Sequence, residues 1–259
     1  MTQPSRIPHD WLQPQWPAPA GVRALCTTRA GGVSTGPCAS LNLGSHVGDA
    51  PAAVAENRAR VAAALGASPL YLNQVHGCRV ALATEGCGVP EADAALSLRP
   101  EAPLAILVAD CLPVLFVARD AAGQARAVAA AHAGWRGLAG GVLEASVRAL
   151  RNAEPQASLS AWLGPCIGAE AFEVGEDVLR GFGCSAAQSG PHFHFQARAD
   201  GSPAWRADLR GLARARLQAL GLAQILAEAA CTVSAPSRFF SFRRDGAVSG
   251  RFGAFIGLS

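Results

Sequence analysis

The stretch Ala105–Gly137, AILVADCLPVLFVARDAAGQARAVAAAHAGWRG, decides how the rest of the chain is read. Two apolar runs in it end, one after the other, on polar chemistry. Leu104 to Ala109 delivers Asp110 and Cys111 into a Leu-Pro turn, and Pro113 to Ala118 resumes the run. Ala127 to Ala131 then delivers His132 into Ala-Gly-Trp-Arg-Gly, where glycines let the backbone approach closely. A thiol and an imidazole, each placed where a buried element stops, point to a site.

The 259 residues, half of them hydrophobic, are enough for one large core. The net charge of +3 is small for this length, and all 22 basic residues are arginines. Any anion must therefore be held by guanidinium forks or backbone N–H groups. No basic run interleaves with aromatics, which argues against nucleic acid as a partner. The N-terminal residues lack a charged stretch followed by an apolar one, and no apolar run reaches membrane-spanning length. The eight scattered cysteines form no CxxC pair. The reading is of reduced thiols in a cytoplasmic protein, with no membrane partner.

Outward from the central stretch, residues 1–20 read as an irregular lead-in and residues 21–259 as the domain. Strands are expected over Val22–Thr28, Leu70–Val75, Arg79–Ala83, Ser158–Leu163, His192–Gln196 and Phe252–Leu258, with Gln224–Glu228 beside them. Asp49 with Pro51 opens a helix that stops at Gly66, and further helices are expected over Leu138–Leu150, Phe172–Phe182 and Ala204–Leu220. Without a regular βαβ rhythm, a linker or a repeat, the fold class is α+β, a single domain with mixed sheets.

His76, Cys111 and His132, separated by 35 and 21 residues, each stand at an expected strand end. A His2Cys set with a fourth position open to water matches a catalytic zinc site. The same residues also read as a thiolate nucleophile, Cys111, with His132 or His76 as base and Asp110 or Asp93 orienting the imidazole. In the plainest reading they cap turns and fill the core. Gly32-Val-Ser34-Thr-Gly36 has the GxSxG pattern, but Pro37 follows it and no strand-to-helix turn surrounds it. His192 and His194 would share one face of a strand. Arg29, Arg136, Arg243 and Arg244 are candidates for an anionic group, and Asn42, Asn73 and Gln74 for the edge of a heterocycle.

Ten motifs in order carry a resemblance: Thr28-Arg-Ala-Gly-Gly-Val-Ser, Ser40-Leu-Asn-Leu-Gly, His46-Val-Gly-Asp, Leu72-Asn-Gln-Val-His-Gly, Ala109-Asp-Cys-Leu-Pro-Val, Ala131-His-Ala-Gly-Trp-Arg-Gly, Gly164-Pro-Cys-Ile-Gly, Phe172-Glu-Val-Gly, Cys231-Thr232 and Phe240-Ser-Phe-Arg-Arg-Asp-Gly. Together they resemble the YfiH family, whose labels are multicopper polyphenol oxidoreductase, or laccase domain, and purine nucleoside phosphorylase. The resemblance implies a layered α/β/β/α core and a metal site on His76, Cys111 and His132, holding zinc or, by the older label, copper. It also implies phosphorolysis of adenosine, inosine or S-methyl-5'-thioadenosine by a monomer or homodimer. Arg29, Arg136 or Arg243 would orient phosphate, and Asn42, Asn73 or Gln74 would contact sugar or base.

Other activities linked to the family keep alternatives open. Adenosine deamination would use Asp110 as the nearest carboxylate, and hydrolytic editing of peptidoglycan precursors, removing a misincorporated L-Ser, would suit the Cys–His reading. A copper-dependent polyphenol oxidase needs several copper centres, and six histidines are a poor inventory for that. Phe242 stands where the family more often has Tyr, and Val248-Ser249 precedes Gly-Arg where Thr is common.

Overall fold

Alternation along the quoted stretch separates two hydrophobic layers. In the computed structural model, which describes residues 10–14, 21–83 and 88–259, Leu112, Val114, Phe116 and Ala118 face one layer while Leu115 and Val117 face the other. The neighbouring strand does the same, with Ala127, Ala129, Ala131 and Ala133 on the first side and Val128 and Ala130 on the second. Both faces are covered, so both strands read as continuous apolar runs.

In chain order the elements are β1 (Val22–Cys26), α1 (Pro51–Leu65), β2 (Val80–Leu82), β3 (Ala94–Ser97), β4 (Leu104–Val108), β5 (Leu112–Arg119), β6 (Ala125–Ala133), α2 (Trp135–Gly140) and α3 (Val142–Ala153). They continue with β7 (Ser158–Leu163), β8 (Glu173–Val174), α4 (Glu176–Gly181), β9 (Phe193–Phe195), β10 (Trp205–Ala207), α5 (Leu209–Ala219), β11 (Gln224–Ala227), α6 (Phe242–Asp245) and β12 (Phe252–Leu258). A six-stranded mixed sheet runs β11-β7-β5-β6-β3-β2, and a three-stranded antiparallel sheet runs β1-β12-β4. A small antiparallel sheet, β8-β10-β9, forms its own ladder and packs into the same core through Val174, Phe193, Trp205 and Ala207.

Four layers follow from the side chains. One face of the six-stranded sheet packs on α2, α3, α4 and α5 through Leu138, Val147, Leu179 and Leu217. Its other face meets the three-stranded sheet through Leu104, Ile106, Phe252 and Ile256. The outer face of that sheet, Ala105 and Phe255, packs on Val61 and Leu65 of α1. The order is α/β/β/α, and each fully buried phenylalanine in it is worth roughly 1.5–3 kcal/mol of burial.

Several expected elements differ in extent. β7 and β12 have the expected ends, while β1 stops at Cys26. Leu70–Val75 forms no strand; it touches the sheets only through the bridges Leu70 to Leu104 and Asn73 to Glu91. The expected helix at Leu138 begins at Trp135 and is broken at Gly141, whose φ of 100° no helix accepts. Glu173–Val174 pairs with β10 before Gly175 lets α4 begin, and Trp205–Ala207 is a strand before Asp208 caps α5 by accepting from the Gly211 amide. Asp49 does not cap α1, since Ala50 holds that position, but α1 ends at Gly66 as expected. Most of the 1–20 lead-in lies outside the described residues, although Leu12 bridges Cys26 and Trp11 is buried.

Candidate active site

Sheet register assembles the site. Pairing of Ala94 with Ala131 places Asp93 beside His132, whose amide donates to the Asp93 carbonyl at 2.7 Å. Pairing of Leu112 with Ala133 places Cys111, one residue before β5, against Gly134, one residue after β6. A Cβ on Gly134 would lie 2.7 Å from Cδ2 of His76 and 3.1 Å from Sγ of Cys111, so only glycine leaves room for both. His76 arrives from the 70–79 segment with φ 61°, and Asp110 precedes Cys111 with φ 91°. Two non-glycine residues in this region, both at the cluster, mark backbone held in place by its surroundings.

The ligating atoms of His76, Cys111 and His132 lie within 4.8 Å of one another. Sγ of Cys111 is 3.8 Å from Nε2 of His76, and the two imidazoles meet edge to face, 4.7 Å between centroids. Nδ1 of His132 is 2.8 Å from Oδ1 of Asp93, and this leaves its Nε2 for the cluster. The Asp93 carboxylate also accepts from the amides of Val75, His76 and Gly77 at 3.1, 2.8 and 2.7 Å. One fully buried carboxylate therefore fixes both imidazoles.

The charges are coupled. Burial works against the ionised thiol of Cys111, but the charge of His132 and hydrogen bonds from both imidazoles outweigh it and bring the thiol down to about 6. Burial likewise disfavours His132 imidazolium, yet Cys111 and Asp93 raise it to about 9. Asp93 is held below the usual carboxylate range: burial opposes this, and the hydrogen bonds from His132 and the Gly77 amide prevail. A soft thiolate and two imidazoles close together form a donor set that fits a divalent transition metal, with a position left for a small molecule.

A cavity of about 860 Å³ opens over the cluster, a size ordinary for a small-molecule site. His76, Cys111, His132, Asp110, Asn73, Gln74, Arg136 and Arg243 line it, with Tyr71, Trp135, Phe172, Phe242, His46, Arg58 and Arg251. Against one lining carboxylate, Asp110, stand four arginines. That imbalance suits an anionic ligand.

The expected substrate residues separate on inspection. Arg29 and Asn42 do not line this cavity. The Arg29 guanidinium donates to the carbonyls of Ala39 and Pro236 and lies over Phe240. Buried Asn42 donates to Gly44 and Asp49 and accepts from the amides of Gly44 and Arg251. Gln74 lines the cavity, but its amide is spent on both backbone groups of Leu107, whereas Asn73 is exposed. Arg136 stacks on Trp135 at 4.3 Å. Arg243 donates to the carbonyls of Ala171 and Glu173, and Arg244 to those of Thr232, Val233 and Phe239. Asp110 accepts from the Thr232 hydroxyl and the Arg243 amide, both at 2.6 Å, and so ties two loops to the cluster. Ser34 of the GxSxG pattern is buried and donates to Asp49. His192 and His194 belong to no metal-holding group of three among the described residues.

Arg58, Arg251 and Tyr71 escaped the sequence reading as cavity residues. Arg251 was within reach, since it ends the Gly-Arg pair that follows Val248-Ser249.

Fold and site together define a layered α/β protein with a three-donor cluster that could hold a metal in the wall of an arginine-rich cavity. Residues 23–259 match the family described as multi-copper polyphenol oxidoreductase laccase, and the chain belongs to that family. It is 47% identical over 248 residues to a Pseudomonas aeruginosa protein named purine nucleoside phosphorylase, covering 96% of this chain and 98% of that one. It is 46% identical over 250 residues to Escherichia coli YfiH, also named purine nucleoside phosphorylase, covering 95% and 98%. Among solved structures, Neisseria meningitidis protein NMB0706 superimposes with a TM-score of 0.86 at 46% identity, covering 96% of this chain and 99% of that one. YlmD from Geobacillus stearothermophilus gives 0.83 at 33% identity, covering 99% and 98%. No described helix is long and apolar enough to cross a membrane, and the seven described cysteines are free thiols.

Proposed function

We propose that this chain is a zinc-dependent purine nucleoside phosphorylase acting on adenosine, inosine and S-methyl-5'-thioadenosine. The observation that carries the reading is the cavity itself: four arginines and several aromatic rings surround a metal-ligating cluster. Phosphorolysis needs these parts. An oxygen of hydrogen phosphate forms a bond to the anomeric carbon as the bond to the purine nitrogen breaks, and the base leaves with the electron pair and takes up the proton that the phosphate gives up. Arginine forks hold the phosphate in line, which converts a bimolecular encounter into a positioned attack. Phe242, 52% exposed at the cavity wall, offers a face on which a purine stacks.

Two imidazoles and a thiolate suit zinc, which when bound would supply Lewis acidity at the cavity wall. Copper fits the same donors, but a polyphenol oxidase would need more copper ligands than one such group. Deamination of adenosine asks for a carboxylic acid/base, and the lining carboxylate, Asp110, already accepts from Thr232 and Arg243. Phosphorolysis makes no such demand. One observation favours a second reading: Cys111, His132 and Asp93 form a thiolate–imidazole–carboxylate series suited to hydrolysis of an acyl or amide bond, such as removal of L-Ser from a peptidoglycan precursor. Free thiols suit a reducing cytoplasm.

Purified protein of measured metal content, incubated with adenosine and phosphate, tests the proposal. Adenine with ribose-1-phosphate is the expected outcome. Inosine formed without phosphate would show deamination, serine released from a nucleotide-linked muramyl-serine would show editing, and none of these products would defeat every enzymatic reading. Cys111→Ser should lower both metal content and phosphorolysis.

A further inference from the structure

We propose that the end of the cavity formed by Arg58, Arg251 and His46 is the binding site for inorganic phosphate, a role that Arg136 and Arg243 do not share. The inference rests on the phosphorolytic reading for its choice of anion and on the following geometry for its place.

The backbone of one residue, Leu43, organises this end of the cavity. The amide of Leu43 donates to the Arg251 carbonyl at 2.9 Å, and the carbonyl of Leu43 accepts from Nε of Arg58 at 3.0 Å. The next residue, Gly44, lies under the Arg251 side chain, where an added Cβ would come within 2.8 Å of Cγ. Two arginines, 193 positions apart, are thus hung on opposite sides of the same backbone segment, which runs on through Ser45 to His46. All four residues, Ser45, His46, Arg58 and Arg251, line the cavity.

The segment is rigidly braced. Asn57 of α1 donates to the Ser34 hydroxyl and to the carbonyls of Ser40 and Asn42, and accepts from the Val33 amide. Asn42 in turn holds Asp49 and the amide of Arg251. Such bracing fixes guanidinium groups before a ligand arrives, which is the condition for tight anion binding.

Neither arginine forms a salt bridge among the described residues. Arg58 lies 4.0 Å over the Tyr71 ring and spends only Nε on protein, leaving its two terminal nitrogens. Arg251 spends Nη1 on the carbonyls of Ser249 and Gly250, leaving Nη2. Burial, then the charges of Arg251 and Arg58, keep His46 below the ordinary imidazole range, which shows that both cations are felt at this ring. A neutral imidazole still donates one hydrogen bond. By contrast Arg243 already donates to two carbonyls, and exposed Arg136 stacks on Trp135 with no hydrogen bond among the described residues to brace it.

The test is calorimetric titration of the metal-containing full chain with inorganic phosphate, and separately with adenosine 5'-monophosphate. Arg58→Gln should weaken phosphate binding by about ten-fold or more, as for loss of a charge-assisted pair, and raise the KM for phosphate with less effect on the KM for nucleoside. His46→Gln, at an exposed position, should weaken it by a smaller factor, and Arg60→Gln on the outer face of α1 should change nothing. Circular dichroism melting confirms that each variant is folded. Unchanged phosphate affinity in both Arg58→Gln and His46→Gln overturns the assignment, as does a loss found only in Arg136→Gln or Arg243→Gln. Arg58-dependent binding of the nucleotide without binding of phosphate overturns it as well. If phosphate binds through Arg58 but no nucleoside is cleaved, the site stands and the phosphorylase reading falls. If phosphorolysis proceeds with an unaltered phosphate KM in Arg58→Gln, the reverse holds.

Discussion

Oδ1 of Asp93 lies 2.8 Å from Nδ1 of His132 while the same carboxylate holds the amides of Val75, His76 and Gly77. The two histidines of the candidate metal cluster, from distant parts of the chain, are aimed by one buried anion. Asp93→Asn places an amide group among donors. Metal affinity should fall about 10- to 100-fold, as for loss of a carboxylate behind a ligating histidine, in a chelator competition titration. Urea unfolding should show a loss of a few kcal/mol, on the order of one to three for each buried donor left unpaired.

The thiol of Cys111 titrates near 6 because the neighbouring imidazoles favour its ionised form against burial. Metal-free protein should therefore react with iodoacetamide at Cys111 at a nearly constant rate from pH 8 down to about 7, fall to about half that rate near pH 6, and slow further as the thiolate is protonated. An unperturbed thiol would already have slowed ten-fold for each unit below about 8.5. Peptide mass spectrometry separates Cys111 from Cys26, pushed above the usual range by burial, and Cys166, raised to about 12 chiefly by burial. Added zinc should protect Cys111 alone.

Gly134→Ala drives a methyl group into Cδ2 of His76, 2.7 Å away, and against Cys111. The ring of His76 must turn, since the sheet behind Gly134 cannot retreat. Expected are substoichiometric metal in elemental analysis and a drop in turnover of about 10²-fold, typical of a displacement near 1 Å.

Phe242→Ala removes the exposed ring at the cavity wall. If it stacks on the purine, the KM for nucleoside should rise about 5- to 100-fold, corresponding to ~1–3 kcal/mol, while the KM for phosphate stays within two-fold. Steady-state kinetics with each substrate varied separately makes the comparison.

What the sequence discloses follows the range of its signals. β5, β6, β7 and β12 are apolar runs bounded by turn residues, and periodicity found them. Cys111 and His132 stood out because each ends such a run. The 70–75 segment was misread because Leu70, Leu72 and Val75 look like strand residues, whereas Gln74 turns its amide onto Leu107 and so replaces a ladder by a side chain. A helix expected from Ala204 passes over Asp208, whose side chain is a legible cap and marks the true start of α5. Arg29 and Asn42 have the type and motif of ligand contacts, but each is taken up by protein groups both near and more than 200 positions away, Ala39 and Pro236 for one, Gly44, Asp49 and Arg251 for the other. Arg58 gave no local sign, because its meaning comes from Leu43 and Tyr71, which only folding brings to it.

The segment that carries His76 has two isolated bridges and the grip of Asp93, while Cys111 and His132 sit at the ends of long ladders. Besides these, the Gln74 amide holds both backbone groups of Leu107, so opening of the segment would break side-chain and bridge contacts while leaving the sheet ladders intact. An ion held by the cluster would have one donor on an irregular segment and two at ladder ends, and hydrogen exchange at Val75, His76 and Gly77, with and without zinc, would record whether that side of the cluster opens before the sheets do.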